Sequence, residues 1–240
     1  MTRSLEWGYD GIEFLPDPFN VPDPVSVEKA LKKTGAAMPV VNTGRMTAQG
    51  ITLLHEDADV RKQAMEAFKR IIELAGHNNA SVGLGMSRGN PAKINEDEAK
   101  EIFNELAAYA QRHGAIVMLE PADPGITTFI HTVRESVDWA GKIHSPNFIV
   151  MLDTWQMHEV ESSFEQAIAD AEGLATHIHL YDPSRWPPGV IAHHETFDWK
   201  RIAQMVKDSS SIKTGSVVLA PEGDPELTAR KSASFLKQFL

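Results

Sequence analysis

Three apolar segments of this chain each end in or near a residue type that binds metal ions. Glu120 follows Ile-Val-Met-Leu, Asp153 follows Phe-Ile-Val-Met-Leu, and His179 lies in His-Ile-His-Leu. Each interval between these residues is long enough for one helix and the next strand. A barrel of such units gathers the carboxyl ends of its parallel strands on one face. The pattern therefore predicts that two carboxylates and an imidazole meet there and bind a divalent cation.

Other short apolar runs continue this pattern along the chain. They lack the alternation of apolar and polar residues that marks a half-exposed strand, so we interpret them as parallel strands covered on both faces. The predicted strands are residues 11–15, 38–42, 81–84, 115–120, 147–153, 176–180 and 216–220.

Helical stretches lie between these strands. Asn95 is placed to cap a helix with Glu98 three residues later, and Gly114 follows as a stop signal. Another helix is predicted from about residue 59 to residue 75, and Asp224-Pro225 opens the last one. This alternation predicts an α/β fold, a TIM-type (β/α) barrel forming a single domain over residues 1–240.

Seven strands are one fewer than a closed eight-stranded barrel contains. Residues 4–8, Ser-Leu-Glu-Trp-Gly, have the composition of a helix end, so we predict that the first barrel strand is lacking or altered. Such a gap leaves two strand edges exposed. We expect the N-terminal segment or a second subunit to cover them, and we expect a homo-oligomer, either a dimer or a tetramer.

The composition narrows the possible partners. The chain has 240 residues and a net charge of −10, and it contains no run of basic residues, which disfavours nucleic acid and anionic membranes. The absence of cysteine excludes disulfides, zinc–thiolate sites and cysteine nucleophiles. No apolar signal core opens the sequence, and no apolar run approaches the roughly 20 residues that span a bilayer. We therefore expect a cytoplasmic protein.

Each candidate ligand also has a structural interpretation. Glu120 could simply bond a neighbouring loop, although a carboxylate beside a core strand is costly unless it is paired or bound to metal. Asp153 could cap the following helix. His177 and His179 share one face of their strand, so one could bind metal while the other supports it or contacts substrate. Alternatively, both are hydrogen-bonded core histidines.

Polar residues in the predicted loops add further candidates. Arg185 lies in a Pro/Gly-rich loop after strand 176–180, where it can bind substrate hydroxyls, a carboxylate or a phosphate, or remain solvated. The cluster His193, His194 and Glu195 could form a second metal site or a lid, but a solvated loop is the favoured interpretation.

Two glutamates stand near the ends of the outermost predicted strands. Glu222 follows the last strand and is a candidate fourth ligand, or else a solvated loop residue. Glu13 ends the first strand and points into or near the barrel mouth, where a structural hydrogen-bonded role is at least as well supported as a functional one.

These motifs together resemble the xylose isomerase-like barrel superfamily, in particular the sugar isomerase and epimerase group that includes the ketose 3-epimerases. The resemblance covers nearly the whole chain. It rests on Gly8-Tyr-Asp-Gly-Ile-Glu13, Leu119-Glu120-Pro121, Leu152-Asp153-Thr-Trp, and His177-Ile-His179 with Arg185.

The resemblance implies one divalent metal ion, which could be manganese, magnesium, cobalt or zinc. It implies Glu120, Asp153 and His179 as ligands. In the family, a glutamate of the eighth strand is the fourth ligand, and the two glutamates move a proton on and off the carbon beside a carbonyl. Ala220 occupies that place here, so we predict that Glu222, two residues later, replaces it as ligand and as second catalytic residue.

A second departure concerns substrate binding. Gln156 occupies the place of a family histidine that contacts substrate, and His158 is a nearby substitute. The predicted substrate-binding residues are His177, Arg185, Gln156, His158 and Trp155.

The leading hypothesis is a metal-dependent isomerase or epimerase of a small ketose or keto-polyol, with Glu120 and Glu222 as catalytic residues. A dehydratase acting on a keto-inositol or dehydroshikimate is the alternative, since proton abstraction by one base suffices for it. A barrel without catalytic activity also remains open. The endonuclease branch is disfavoured by the acidic charge and by Gln156.

Overall fold

The structure is a computed structural model that describes residues 1–182, 197–218 and 224–239. Its centre is one parallel sheet whose strands follow chain order and curl into a half-barrel with helices outside, which confirms the TIM-type fold. The described strands are β1 (Val40–Asn42), β2 (Ser81–Leu84), β3 (Ile116–Leu119), β4 (Phe148–Asp153), β5 (Ala175–Leu180) and β6 (Thr214–Val217).

Helices separate the strands, and several of their ends were predicted. The capping box of Asn95 and Glu98 is present, and Gly114 ends that helix in the left-handed conformation. Asp224 caps the last helix through its side chain. The helices are α1 (Thr2–Glu6), α2 (Pro24–Thr34), α3 (Gly44–Ala48), α4 (Ala58–His77), α5 (Glu96–His113), α6 (Val133–Ile143), α7 (Thr154–Val160), α8 (Phe164–Asp170), α9 (Trp199–Asp208) and α10 (Pro225–Leu236), with a 3₁₀ turn at Met86–Arg88.

Apolar side chains fill both faces of the sheet. The larger core lies between the sheet and the helices. A smaller cluster of Val40, Met118, Ile149 and Met151 packs separately, on the inner face of the curled sheet. Because side chains alternate along a strand, the residues two positions beyond Met118 and Met151 face the same interior at the carboxyl ends of the strands. Those residues are candidate ligands.

The predicted strand at residues 11–15 is not a regular strand. Gly11 and Phe14 form isolated parallel bridges with Ala37 and Val41, and the register shifts by one residue between them. Pro39 lies in this stretch and has no N–H to donate, which prevents a continuous ladder. The expectation of seven strands is therefore corrected to six in the described part of the chain, with β1 starting at Val40 rather than at residue 38.

The N-terminal segment covers the β1 edge and also reaches the opposite end of the chain. Its contacts with β1 include the Phe14 N–H donating to the Val40 carbonyl. The Tyr9 hydroxyl donates to the Ala229 carbonyl of α10 at 2.9 Å. The segment thus bridges the first strand and the last helix, one of the two kinds of edge coverage that we expected.

The last described strand differs slightly from its prediction. We expected residues 216–220, whereas β6 begins at Thr214 and ends at Val217. Thr214 and Gly215 are exposed, so the apolar pattern used for prediction is missing from the start of the strand. In the described ranges, no helix is long and apolar enough to cross a membrane.

Candidate metal centre

The structure brings together the three predicted ligands from neighbouring strands. Ligand atoms of Glu120, Asp153 and His179 all lie within 4.8 Å of one another. The His179 Nδ1 atom is 3.0 Å from Glu120 Oε1 and 3.6 Å from Asp153 Oδ2. Asp153 and His179 are paired across β4 and β5. Strand register therefore fixes how these side chains meet.

Asp153 caps the next helix with one carboxylate oxygen, as predicted, and its other oxygen lies towards His179. Its Oδ1 atom accepts hydrogen bonds from the N–H groups of Trp155 at 2.8 Å and Gln156 at 3.0 Å, which caps α7. Its Oδ2 atom faces His179. The helix cap orients the carboxylate and leaves one oxygen for a cation.

Glu120 occupies space that a glycine leaves open. A Cβ atom added to Gly85, just beyond β2, would lie 2.5 Å from Glu120 Oε2. That separation is too short for any side chain, so the position of the carboxylate depends on glycine at this point. Sequence analysis did not identify this role of Gly85.

Arg88 stabilises the carboxyl end of β3 by donating hydrogen bonds to backbone carbonyls. Its side chain is fully buried and donates hydrogen bonds of 2.8 to 3.2 Å to the carbonyls of Gly85, Glu120, Phe129 and Ile130. Burial lowers the pKa of this guanidinium to about 10, so it stays charged at neutral pH. Sequence analysis also missed Arg88, because an arginine after a strand is usually solvated.

Glu13 contacts the opposite edge of the His179 ring. Its Oε2 atom lies 3.0 Å from His179 Nε2. Its Oε1 atom accepts a hydrogen bond of 2.6 Å from Asn42 Nδ2, and Asn42 Oδ1 accepts one of 2.8 Å from the Gly44 N–H. A chain of side-chain contacts therefore connects β1 to His179 through Glu13.

His177 lies next to His179 and is 1% exposed. Its Nδ1 atom is 2.6 Å from the hydroxyl of Thr214. Its Nε2 atom lies 3.6 Å from Glu13 Oε2 and has no hydrogen-bond partner among the described residues. Burial lowers the pKa of this imidazole. The two histidines share a face as predicted, but His177 is turned towards Glu13 and β6.

The remaining predicted site residues divide into two groups. Gln156 Oε1 accepts the Asp123 N–H at 2.7 Å, which joins α7 to the loop after β3. The rings of Trp155 and His158 pack with Phe197, and His158 is exposed. The residues of the second group lie outside the described ranges, and their roles stay predictions: Arg185, His193, His194, Glu195, Ala220 and Glu222.

The charges around His179 suit a cation. Burial raises the pKa of Glu120, and His179 only partly opposes this. Burial alone would lower the pKa of His179 and raise that of Glu13. The charges of Glu13 and Glu120 instead hold the pKa of His179 well above its usual value, and His179 holds that of Glu13 well below its own.

A divalent cation fits this arrangement. Three carboxylates, those of Glu13, Glu120 and Asp153, surround one imidazole whose Nδ1 atom faces Glu120. A metal ion bound at Nδ1 would take the place of a proton on that atom and balance the buried negative charge. Two carboxylates and an imidazole are a ligand set that zinc and manganese accept.

Comparisons with known proteins support the assignment of the fold. The chain is 26% identical over 232 residues to the D-psicose 3-epimerase of Ruminiclostridium cellulolyticum, covering 92% of this chain and 76% of that protein. A structure of L-ribulose 3-epimerase superposes with a TM-score of 0.82 at 17% identity, covering 99% of this chain and 86% of the other. The IOLI protein with a bound zinc atom superposes with a TM-score of 0.73 at 17% identity, covering 99% and 93%.

A family-wide comparison also covers the chain. The sequence model of the xylose isomerase-like TIM barrel matches residues 2–239, which is almost the entire chain. This chain belongs to the xylose isomerase-like TIM barrel family.

Proposed function

We propose that this protein is a metal-dependent epimerase of a small ketose or keto-polyol. The observation that carries the proposal is the meeting of Glu120, Asp153 and His179 at the carboxyl ends of three neighbouring strands. The relatives named above include epimerases of D-psicose and L-ribulose, which support the isomerase class.

Glu120 is the proposed base. Its carboxylate lies in the ligand cluster, next to the place where the cation would hold the substrate carbonyl, and a carboxylate in that position can act as a general base. Asp153 and His179 would hold the cation together with Glu120. A bound divalent cation supplies a Lewis acid for the substrate carbonyl. Glu120 would then remove the proton from the adjacent carbon, and Gly85 keeps the space that its carboxylate needs.

Glu222 is the proposed second acid and fourth ligand. Epimerisation requires a proton to return on the opposite face of the same carbon, so two groups are needed where a lyase needs one. Arg185, His177, Gln156, His158 and Trp155 are the proposed substrate contacts.

Proton exchange with solvent gives the most direct test. The chelator-stripped protein and the protein reloaded with Mn²⁺ are incubated with D-psicose or L-ribulose in D₂O and followed by NMR. We expect metal-dependent deuterium incorporation beside the carbonyl and formation of the epimer, both abolished by Glu120→Gln. Full activity after metal removal would contradict the proposal, and an unsaturated product would indicate the dehydratase instead.

The role of Glu222 has its own test. We expect Glu222→Gln to weaken metal binding and to stop formation of the epimer while Glu120 still exchanges one proton. Unchanged metal affinity would remove Glu222 from the ligand set. Unchanged epimer formation would remove it from catalysis.

A homo-oligomer also remains a proposal. In the described part of the sheet, β6 pairs only with β5, and Thr214 and Gly215 are exposed. Light scattering during size-exclusion chromatography would distinguish a dimer or tetramer from a monomer.

A further inference from the structure

We propose that Glu13 is a positioning residue that keeps the proton of His179 on Nε2, so that Nδ1 is free for the metal ion. The inference rests on the proposed metal-dependent function but concerns a residue outside the predicted ligand set. Glu13 belongs to the N-terminal segment, which lies along the β1 edge of the sheet.

The two edges of the His179 ring have different surroundings. Nδ1 faces Glu120 Oε1 at 3.0 Å and Asp153 Oδ2 at 3.6 Å. Nε2 faces both oxygens of Glu13, at 3.0 and 3.2 Å. A carboxylate only accepts hydrogen bonds, so it favours a protonated Nε2. Metal-bound histidines commonly donate their other N–H to such a carboxylate, which fixes the ring and its tautomer.

Asn42 fixes the orientation of Glu13 in turn. The Gly44 N–H donates to Asn42 Oδ1, so the amino group of the Asn42 amide points at Glu13. Gly83 leaves room for this amide, since a Cβ there would lie 3.3 Å from Asn42 Nδ2. The donor and acceptor of every hydrogen bond in the series Gly44, Asn42, Glu13 and His179 are thus determined by one backbone N–H, that of Gly44.

The same geometry argues against a second cation beside the first. Glu13, His177 and His179 form another group whose ligand atoms lie within 4.8 Å of one another. Once Nδ1 of His179 binds a metal ion, Nε2 carries a proton and offers no lone pair. We therefore expect one metal ion per chain.

The first test is Glu13→Gln. Asn42 would still donate to the carbonyl oxygen of the new amide, so the amide NH₂ would face Nε2 of His179 and two donors would meet. We expect Zn²⁺ affinity of the chelator-stripped protein, measured by calorimetry, to fall by about 10- to 100-fold. Thr214→Val is the matched control: it removes the partner of His177 alone, and we expect wild-type affinity.

The second test reverses the hydrogen-bond polarity. In the double variant Glu13→Gln with Asn42→Asp, the aspartate accepts from both the Gly44 N–H and the new amide NH₂. The amide carbonyl then faces His179 and accepts its Nε2 proton. The cluster keeps its net charge, and we expect Zn²⁺ affinity within about threefold of wild type, which a merely structural role of Glu13 does not predict.

The outcomes separate this inference from the proposed function. Wild-type affinity in Glu13→Gln, or a double variant that melts like wild type yet binds weakly, would overturn the role of Glu13. Nitrogen-15 NMR of the zinc-loaded wild type tests it without substitution, since zinc on Nε2 and the proton on Nδ1 would also overturn it. Zinc bound in this way without proton exchange on any sugar would overturn only the epimerase, and absence of zinc binding would overturn both.

Discussion

The centre and the margins of the sheet are built differently, and the site uses both. Strands β3, β4 and β5 each have a partner on both sides, and all six residues of β4 are buried. At the margins, the N-terminal segment makes only isolated bridges with β1, and β6 starts with exposed residues. The predicted ligands come from the centre, whereas Glu13, which orients one of them, comes from a margin.

This difference indicates two ways of positioning a side chain. The positions of Glu120, Asp153 and His179 follow from the central strands, because each residue lies at, next to or just beyond the end of a mostly buried strand. Glu13 does not belong to a regularly paired strand, and the position of its side chain depends on hydrogen bonds from Asn42 and His179. Substitutions in the centre should therefore strongly lower stability. At the margin, the loss of a single hydrogen bond should be enough to move a side chain.

The largest effect on stability is expected from Arg88→Met, a substitution at the centre of the sheet. The substitution removes the side-chain hydrogen bonds to the carbonyls of Gly85, Glu120, Phe129 and Ile130, and we expect it to lower the free energy of unfolding by about 3–5 kcal/mol. Denaturant unfolding measures this loss. Arg134→Met removes an exposed ion pair with Asp170 and serves as control, with an expected loss below about 1 kcal/mol. Equal losses in the two variants would show that Arg88 contributes no more to stability than an ion pair at the surface.

A smaller effect is expected from Gly85→Ala. The added methyl group would collide with the Glu120 carboxylate, which costs about 1–3 kcal/mol of stability and weakens metal binding. Gly141→Ala is the control, because nothing lies within 4 Å of its Cβ in α6, and there we expect a gain of about 0.5–1 kcal/mol. Calorimetry with Zn²⁺ and thermal unfolding report both quantities. If Gly85→Ala binds Zn²⁺ like wild type, Glu120 does not need this space.

The smallest effect is expected at the margin, from Tyr9→Phe. Burial raises the pKa of Tyr9 to about 12, so its hydroxyl remains a neutral donor to the Ala229 carbonyl. Losing this hydrogen bond should cost about 1 kcal/mol in the free energy of unfolding. Zn²⁺ affinity should stay unchanged, since Tyr9 contacts none of the ligands in the described structure. A marked loss of affinity would mean that margin and centre are coupled.

The central part of the site was accessible from the sequence for a physical reason. A polar residue at the end of an uninterrupted apolar run must lie where a buried strand reaches the surface, and parallel strands bring such ends together. Glu120 and Asp153 satisfy this condition, and His179 lies one residue before the end of its strand. For Asp153 the two competing interpretations were not exclusive, because a carboxylate has two oxygens and each has its own partner.

The contacts at the margin could not be predicted in the same way. The meeting of Glu13 with Asn42 depends on an irregular segment whose register shifts beside Pro39, and no periodicity encodes that shift. Gly85 and Arg88 act through close packing and backbone carbonyls, so their roles appear only when the neighbouring strand is in place.

Zinc titration of the wild type and of Asp153→Asn tests the central claim most directly. The asparagine oxygen can still cap α7, but its amino group would face His179 Nδ1 in place of a ligand oxygen. We predict one Zn²⁺ per wild-type chain, and binding at least about 100-fold weaker in the variant, a larger loss than an outer partner causes in most sites. We also predict stability within about 1 kcal/mol of wild type for the metal-free variant, because the cap is kept. Equal zinc binding by the two proteins would contradict a metal centre formed by Glu120, Asp153 and His179.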